Sequence, residues 1–154
     1  MRHWFAATAL FALACGAGES AQSKMAVASL GGMGGGDDAS THGAVHTVDM
    51  VLEDGKYLFK PAQLVIKVGD TVRWVNVSGG PHNVQFHGDQ IPTGAAEVLN
   101  TSMPNRMGNL SGKLIIQPNE TYEIVFANAP TGNYGYTCTP HELLGMNATL
   151  TIEP

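Results

Sequence analysis

An all-β sandwich is the fold class this sequence predicts, and three observations predict it. About seven or eight short apolar or alternating runs follow one another from residue 44 onward. Turn signals separate them at the spacing of sandwich strands. No long stretch of helical periodicity interrupts them. A single domain over residues 44–154 is expected, because 154 residues make about one domain once the N-terminal segments are set aside.

Each element has its own signal. Val45 to Leu52 alternates roughly apolar and polar, and Gly55 and then Pro61 mark the turns that follow. Leu64 to Val68 is a compact apolar run stopped by Gly69-Asp70. Thr71 to Val77 alternates cleanly, with Val72, Trp74 and Asn76 on one face and Val75 and Val77 on the other. Gly79-Gly80 ends that run. His82 to Phe86, Lys113 to Ile116, Thr121 to Phe126, Tyr134 to Cys138 and Asn147 to Ile152 complete the series. Pro118-Asn119 and Thr131-Gly132-Asn133 supply the later turns. Residues 91–109 read as irregular, with a short helical turn around Ala95 to Leu99.

The N-terminal segments read differently. Residues 1–14 have the features of a secretory signal: a polar start at Arg2-His3, an apolar run from Trp4 to Leu13, and the small-x-small triplet Ala12-Leu13-Ala14. That run is too short to span a bilayer. Cys15 follows directly, and Ala12-Leu13-Ala14-Cys15 resembles a bacterial lipobox with its Leu one place late. Acylation of Cys15, which would tether the chain to a membrane without spanning it, and plain secretion both stay open. Residues 15–43 are rich in Gly, Ala and Ser. Gly31-Gly32-Met33-Gly34-Gly35-Gly36-Asp37-Asp38 cannot bury a core and reads as a flexible tether. His42 and His46 at its end read as solvated polar residues rather than a metal pair.

Charge and cysteine usage narrow the function classes. The formal net charge is −5 and no basic run is present, which argues against a nucleic-acid partner. The two cysteines, Cys15 and Cys138, are too few for a disulfide framework. With Cys15 used in processing, Cys138 is an unpaired thiol in an exported chain, and metal ligation accounts for it. An inert buried thiol or a Cys15–Cys138 disulfide is the plainer alternative.

The neighbours of Cys138 favour the metal. Cys138-Thr139-Pro140-His141-Glu142-Leu143-Leu144-Gly145-Met146 places a thiolate, an imidazole and a thioether within nine residues. Gly79-Gly80-Pro81-His82-Asn83-Val84 offers a second imidazole. Two His, one Cys and one Met form the ligand set of a mononuclear blue-copper site, in which a trigonal His2Cys plane with a weak axial thioether suits both Cu(I) and Cu(II). Taken singly, each residue has a structural reading, a strand histidine or a core-filling methionine. Taken together they predict metal ligands at His82, Cys138, His141 and Met146. Cys138 should end a strand, His141 should sit on the loop top, and Met146 should begin the last strand. Pro81 and Asn83 are expected to organise the ligand loops, with the Asn83 amide bridging them.

At this point the sequence resembles a plastocyanin-type cupredoxin over about residues 44–154. Phe59-Lys60-Pro61-Ala62 through Val68-Gly69-Asp70-Thr71-Val72-Arg73-Trp74-Val75-Asn76 is similar to that family's second and third strands. Pro81-His82-Asn83-Val84-Gln85-Phe86 with Asp89-Gln90-Ile91-Pro92 resembles its first copper loop, and Tyr134-Gly135-Tyr136-Thr137-Cys138-Thr139-Pro140-His141 through Gly145-Met146 its second. The resemblance implies a two-sheet Greek-key sandwich with copper near one end and His141 as a partly exposed electron port. Cys-Thr-Pro-His with its Met five places on also resembles pseudoazurin, whose chains continue into helices. The end at Pro154 favours the plastocyanin-like shape. Thr137 stands where photosynthetic plastocyanins carry an aromatic, and Glu142-Leu143-Leu144 departs from the usual loop. His87 replaces a common acidic residue and reads as an ordinary exposed histidine.

The function expected is an exported electron carrier, a monomer with transient redox protein partners, in the periplasm or at the cell surface. Leu143 and Leu144 either form an apolar docking rim or cap the copper pocket from inside. Enzymatic copper chemistry would need further copper sites, usually marked by His-x-His pairs, which the sequence lacks. A copper carrier or storage role would lean on Met or His clusters, for which Met103 and Met107 are the slender hint.

Overall fold

Eight strands, one α-helix and one short 3-10 helix make up the architecture that the computed structural model describes, over residues 43–154. The leader, Cys15, the glycine-rich tether and His42 lie outside the described residues. The strands are β1 (Val45–Glu53), β2 (Lys56–Lys60), β3 (Gln63–Lys67), β4 (Thr71–Asn76), β5 (Gln85–Phe86), β6 (Thr121–Val125), β7 (Gly132–Thr137) and β8 (Asn147–Glu153). The helix α1 spans Ala95–Ser102, three residues beyond the turn read from the sequence. Two four-stranded sheets pack as a sandwich, in the orders β2-β1-β4-β6 and β3-β8-β7-β5. β1 runs parallel to β4 and β3 parallel to β8, while the other neighbours are antiparallel.

The alternation read from the sequence sets the faces. In β4, Val72, Trp74 and Asn76 are buried and the residues between them are half-buried. Trp74 is fully buried between the sheets. Its ring meets Phe86 edge-on at 6.5 Å and Tyr136 edge-on at 5.8 Å, the geometry aromatic quadrupoles prefer. Phe59 from β2 closes on Tyr136 at 4.8 Å from the other sheet.

Three elements differ from the sequence reading. β2, which only the family resemblance at Phe59-Lys60 touches, has no alternation of its own, because only Phe59 of its five residues is fully buried at this sheet edge. The stronger signal was the turn before it. Asp54 and Gly55 both have positive φ, 49° and 74°, the two-residue Asp-Gly hairpin that pairs Glu53 with Lys56. The expected strand Lys113 to Ile116 is extended loop, bridged only where Ile115 meets His82. The expected strand His82 to Phe86 shortens to Gln85–Phe86. Both apolar runs are short pieces tied to each other near one end of the sandwich, so their hydrophobicity reflects burial rather than a full ladder.

His46 is not a solvated tether residue. It lies in β1, and its Nε2 is 2.8 Å from Asp70 Oδ2. The Asp70 carboxylate also accepts the N–H of Ala44 at 2.8 Å and of Lys67 at 2.9 Å, which fastens the start of β1 to the β3–β4 turn. Burial raises the Asp70 pKa, but the hydrogen bonds from Lys67, His46 and Ala44 outweigh it and leave the carboxyl below its ordinary value. A depressed folded-state pKa adds stability above the ordinary aspartate value and loses it as pH falls through the folded one. Asp70→Ala should therefore cost about 1–2 kcal/mol of unfolding free energy at pH 7, because three part-buried donors lose their acceptor. Urea unfolding should also show the variant losing less stability than wild type as pH drops below about 4. Equal stability of the two proteins at pH 7 would contradict this role.

Candidate metal centre

At one end of the sandwich two loops bring His82, Cys138 and His141 together. Cys138 follows β7 directly, and its N–H donates to Met146 O at 3.1 Å. The next turn is a short 3-10 helix, Thr139–Leu144, with Pro140 in its first positions and Cys138 as the residue before it. That turn was expected to be loop. Its winding carries His141 back over the cysteine, and His141 N–H donates to Cys138 O at 2.9 Å. Gly145 ends the turn at φ 83°, a left-handed conformation that glycine adopts without a Cβ penalty. Met146 N–H then bonds His141 O at 3.2 Å just before β8. Met146 is fully buried, and its backbone is fixed to both Cys138 and His141.

His82 arrives from the other loop. Its N–H bonds Ile115 O at 3.0 Å, and Ile115 N–H returns to His82 O at 2.8 Å. Asn83 joins the loops as the sequence suggested. Its Oδ1 accepts Thr139 N–H at 2.8 Å, and its Nδ2 donates to Thr139 Oγ1 at 3.1 Å and to Ser111 Oγ at 3.4 Å.

The donor atoms converge. Cys138 Sγ lies 3.6 Å from His82 Nδ1 and 3.4 Å from His141 Nδ1, and one donor atom from each residue falls within 4.8 Å of the others. His82 and Cys138 are fully buried and His141 is 7 % exposed. His82 Nε2 is 2.9 Å from Ser78 O. A carbonyl only accepts, so Nε2 carries the proton and the Nδ1 lone pair faces the sulfur. Burial depresses the His82 pKa against the Ser78 hydrogen bond. Burial and the charge of His82 depress that of His141. Both shifts favour the neutral imidazole, the form a ligating histidine takes. Burial pushes the Cys138 thiol up, countered by the backbone N–H groups of Asn83 and His141. A buried thiolate of this kind needs a cation beside it, and a metal ion held by these residues would supply the charge that favours the deprotonated sulfur. The donor set fits copper, for which imidazole, thiolate and a weak thioether are the recognised combination.

Several sequence readings change. His141 was expected to be partly exposed, but the ring of Tyr57 from β2 stacks on it at 3.6 Å and 9°. Nothing in the sequence marked Tyr57, because the pairing of β2 that brings it there was itself unread. Leu143 and Leu144 are 101 % and 62 % exposed, so neither caps the pocket from inside. Thr137 is fully buried and donates its hydroxyl to Met146 O at 2.9 Å. It braces the second ligand loop and does not offer a surface route for electrons. His87 is half-buried rather than exposed. Met103 packs in the core while Met107 is exposed, so the two form no cluster.

Known proteins resemble this chain. The plastocyanin of Scenedesmus fuscus is 38 % identical over 108 residues, which cover 70 % of this chain and 98 % of that one. The plastocyanin of a Synechococcus species is 37 % identical over 108 residues, 70 % of this chain and 72 % of that one. Among solved structures, oxidised plastocyanin from Dryopteris crassirhizoma superposes with a TM-score of 0.54 at 25 % identity, covering 70 % of this chain and all of that one. Residues 46–153 match the family model described as copper binding proteins, plastocyanin/azurin family. With a buried His, Cys, His and Met set built into two four-stranded sheets, the chain belongs to the plastocyanin/azurin family of copper-binding proteins.

Proposed function

We propose that this chain is an exported blue copper protein that shuttles single electrons between redox partners, with a mononuclear type 1 site held by His82, Cys138, His141 and Met146. The observation that carries this reading is the buried Cys138 sulfur set 3.6 and 3.4 Å from two imidazole Nδ1 atoms. Copper bound there supplies a one-electron couple. The residues keep both oxidation states in nearly one geometry. His82 is held by Ser78 O and Ile115, and Cys138 and Met146 share a backbone hydrogen bond. Burial keeps water from the sulfur. The role proposed is a carrier's rather than an enzyme's, and the likeness to plastocyanins supports it.

Leu143 and Leu144, exposed beside His141, give a redox partner an apolar rim. Contacts of this kind are small and short-lived. The leader pattern of residues 1–14 supports export, and Cys15 supports a lipid anchor on a periplasmic or cell-surface membrane. Mass spectrometry of the mature N-terminus distinguishes an acylated Cys15 from a free one.

Voltammetry of the copper-loaded protein tests the reading. A single reversible one-electron couple is expected, and its absence would remove the electron-transfer role. Met146→Gln should keep copper but lower the potential, because an oxygen donor in the axial position favours Cu(II). An unchanged potential would show that Met146 is not axial.

A further inference from the structure

The two histidines of the site are held in different ways. His82 has the restraint that a ligating histidine usually has, its second ring nitrogen hydrogen-bonded to a carbonyl, here Ser78 O at 2.9 Å. His141 has none. Among the described residues its ring makes one contact of hydrogen-bond kind, Nδ1 to Cys138 Sγ at 3.4 Å. The Tyr57 ring lies flat against it instead, centroids 3.6 Å apart and planes 9° from parallel. The same tyrosine meets the His82 ring edge-on at 6.3 Å.

Tyr57 is itself wedged. It pairs with Leu52 across the β1–β2 hairpin. Next to Leu52 the backbone of Gly79, at φ 78°, comes so close that a Cβ there would sit 3.1 Å from Tyr57 Cε1 and 2.5 Å from Leu52 Cβ. Only glycine leaves room for the ring to lie flat. A hairpin edge, a glycine in the first ligand loop and a histidine in the second therefore meet on one aromatic plane.

We infer that Tyr57 is a positioning residue for His141. Its stacked face does for that imidazole what the Ser78 carbonyl does for His82, holding one ring orientation with and without metal. The inference rests on the metal-site reading above. Its consequence for electron transfer is direct: a ring that cannot swing adds little rearrangement when the site changes oxidation state.

The test compares Tyr57→Phe, which keeps the aromatic face, with Tyr57→Leu, which keeps apolar bulk and removes it. The first measurement is nuclear magnetic resonance of the imidazoles in the metal-free full-length chain. Wild type and Tyr57→Phe should show sharp His141 ring signals displaced by the neighbouring ring current. In Tyr57→Leu that displacement should vanish and the His141 signals broaden, while those of His82 stay put and report an intact fold. The second measurement is electron self-exchange between oxidised and reduced copies of the copper-loaded protein, one electron leaving one copy for each that arrives at another. Tyr57→Leu should slow it about tenfold and Tyr57→Phe by less than about twofold. A sharp His141 ring in Tyr57→Leu would overturn the inference, and so would self-exchange that is unchanged or faster. If wild type itself shows no self-exchange, the electron-transfer reading fails, while the metal-free spectra still decide the role of Tyr57.

Discussion

Cys138→Ser should leave a folded protein that takes up no blue colour. The substitution changes one buried atom. The backbone bonds that shape the site, Cys138 N–H to Met146 O and His141 N–H to Cys138 O, do not involve the side chain. Serine is close in shape, so sheet pairing and core packing should survive, and the urea midpoint of the metal-free protein should move little. The chemistry changes completely. Cys138 is the one cysteine among the described residues, and the intense visible band expected of the copper-loaded protein would arise from charge transfer between its thiolate and copper. A serine hydroxyl does not ionise in this site and is a hard donor where a soft one is wanted. Copper affinity should fall by at least about a hundredfold, since loss of even an outer partner of a ligand costs up to that much. Absorption and a competition titration with a chelator measure both effects. A blue Cys138→Ser protein would place the thiolate chemistry elsewhere.

Trp74→Ala should have the opposite profile, a large loss of stability with the donor residues untouched. Trp74 is fully buried and meets Phe86 and Tyr136 across the space between the sheets and Tyr122 on the neighbouring strand β6 of its own sheet. Truncating such a ring removes its transfer free energy and leaves a cavity that the stiff sheets cannot fill. The expected cost is about 3–5 kcal/mol, a large share of the roughly 5–15 kcal/mol that holds a domain together. Urea denaturation should show a lower midpoint with a nearly unchanged slope. The site should feel the change indirectly. Tyr136, which loses a neighbour, lies on β7 two residues before Cys138. Copper should therefore restore part of the lost stability, by binding the folded state alone. A loss below about 1 kcal/mol would mean that the core does not depend on this ring.

How much of this was legible in the sequence varies with the physics involved. The regular strands were readable where burial alternates: β4 shows Val72, Trp74 and Asn76 inward, as its pattern stated. The convergence of His82, Cys138 and His141 was readable because each residue type has few other uses at those spacings. Edge strand β2 is not readable from alternation, since it buries fully only Phe59; the signal that could have found it is Asp54-Gly55, a two-residue hairpin turn. Tyr57 was invisible for the same reason. Its role depends on a cross-hairpin register that places it over the site, and no local pattern encodes that. The Asp70–His46 pair joins residues 24 apart and likewise becomes visible only after β1 and β4 pair. Exposure at Leu143 and Leu144 followed from the 3-10 turn, a local winding that the residues between His141 and Met146 did not announce.

The central claim is that the Cys138 thiolate and its neighbours hold one copper ion in a type 1 site. The most direct measurement is a visible absorption titration of the full-length protein with Cu(II). An intense blue band should saturate at one equivalent of copper and be absent from Cys138→Ser. A colourless complex, or a band that persists without Cys138, would contradict it.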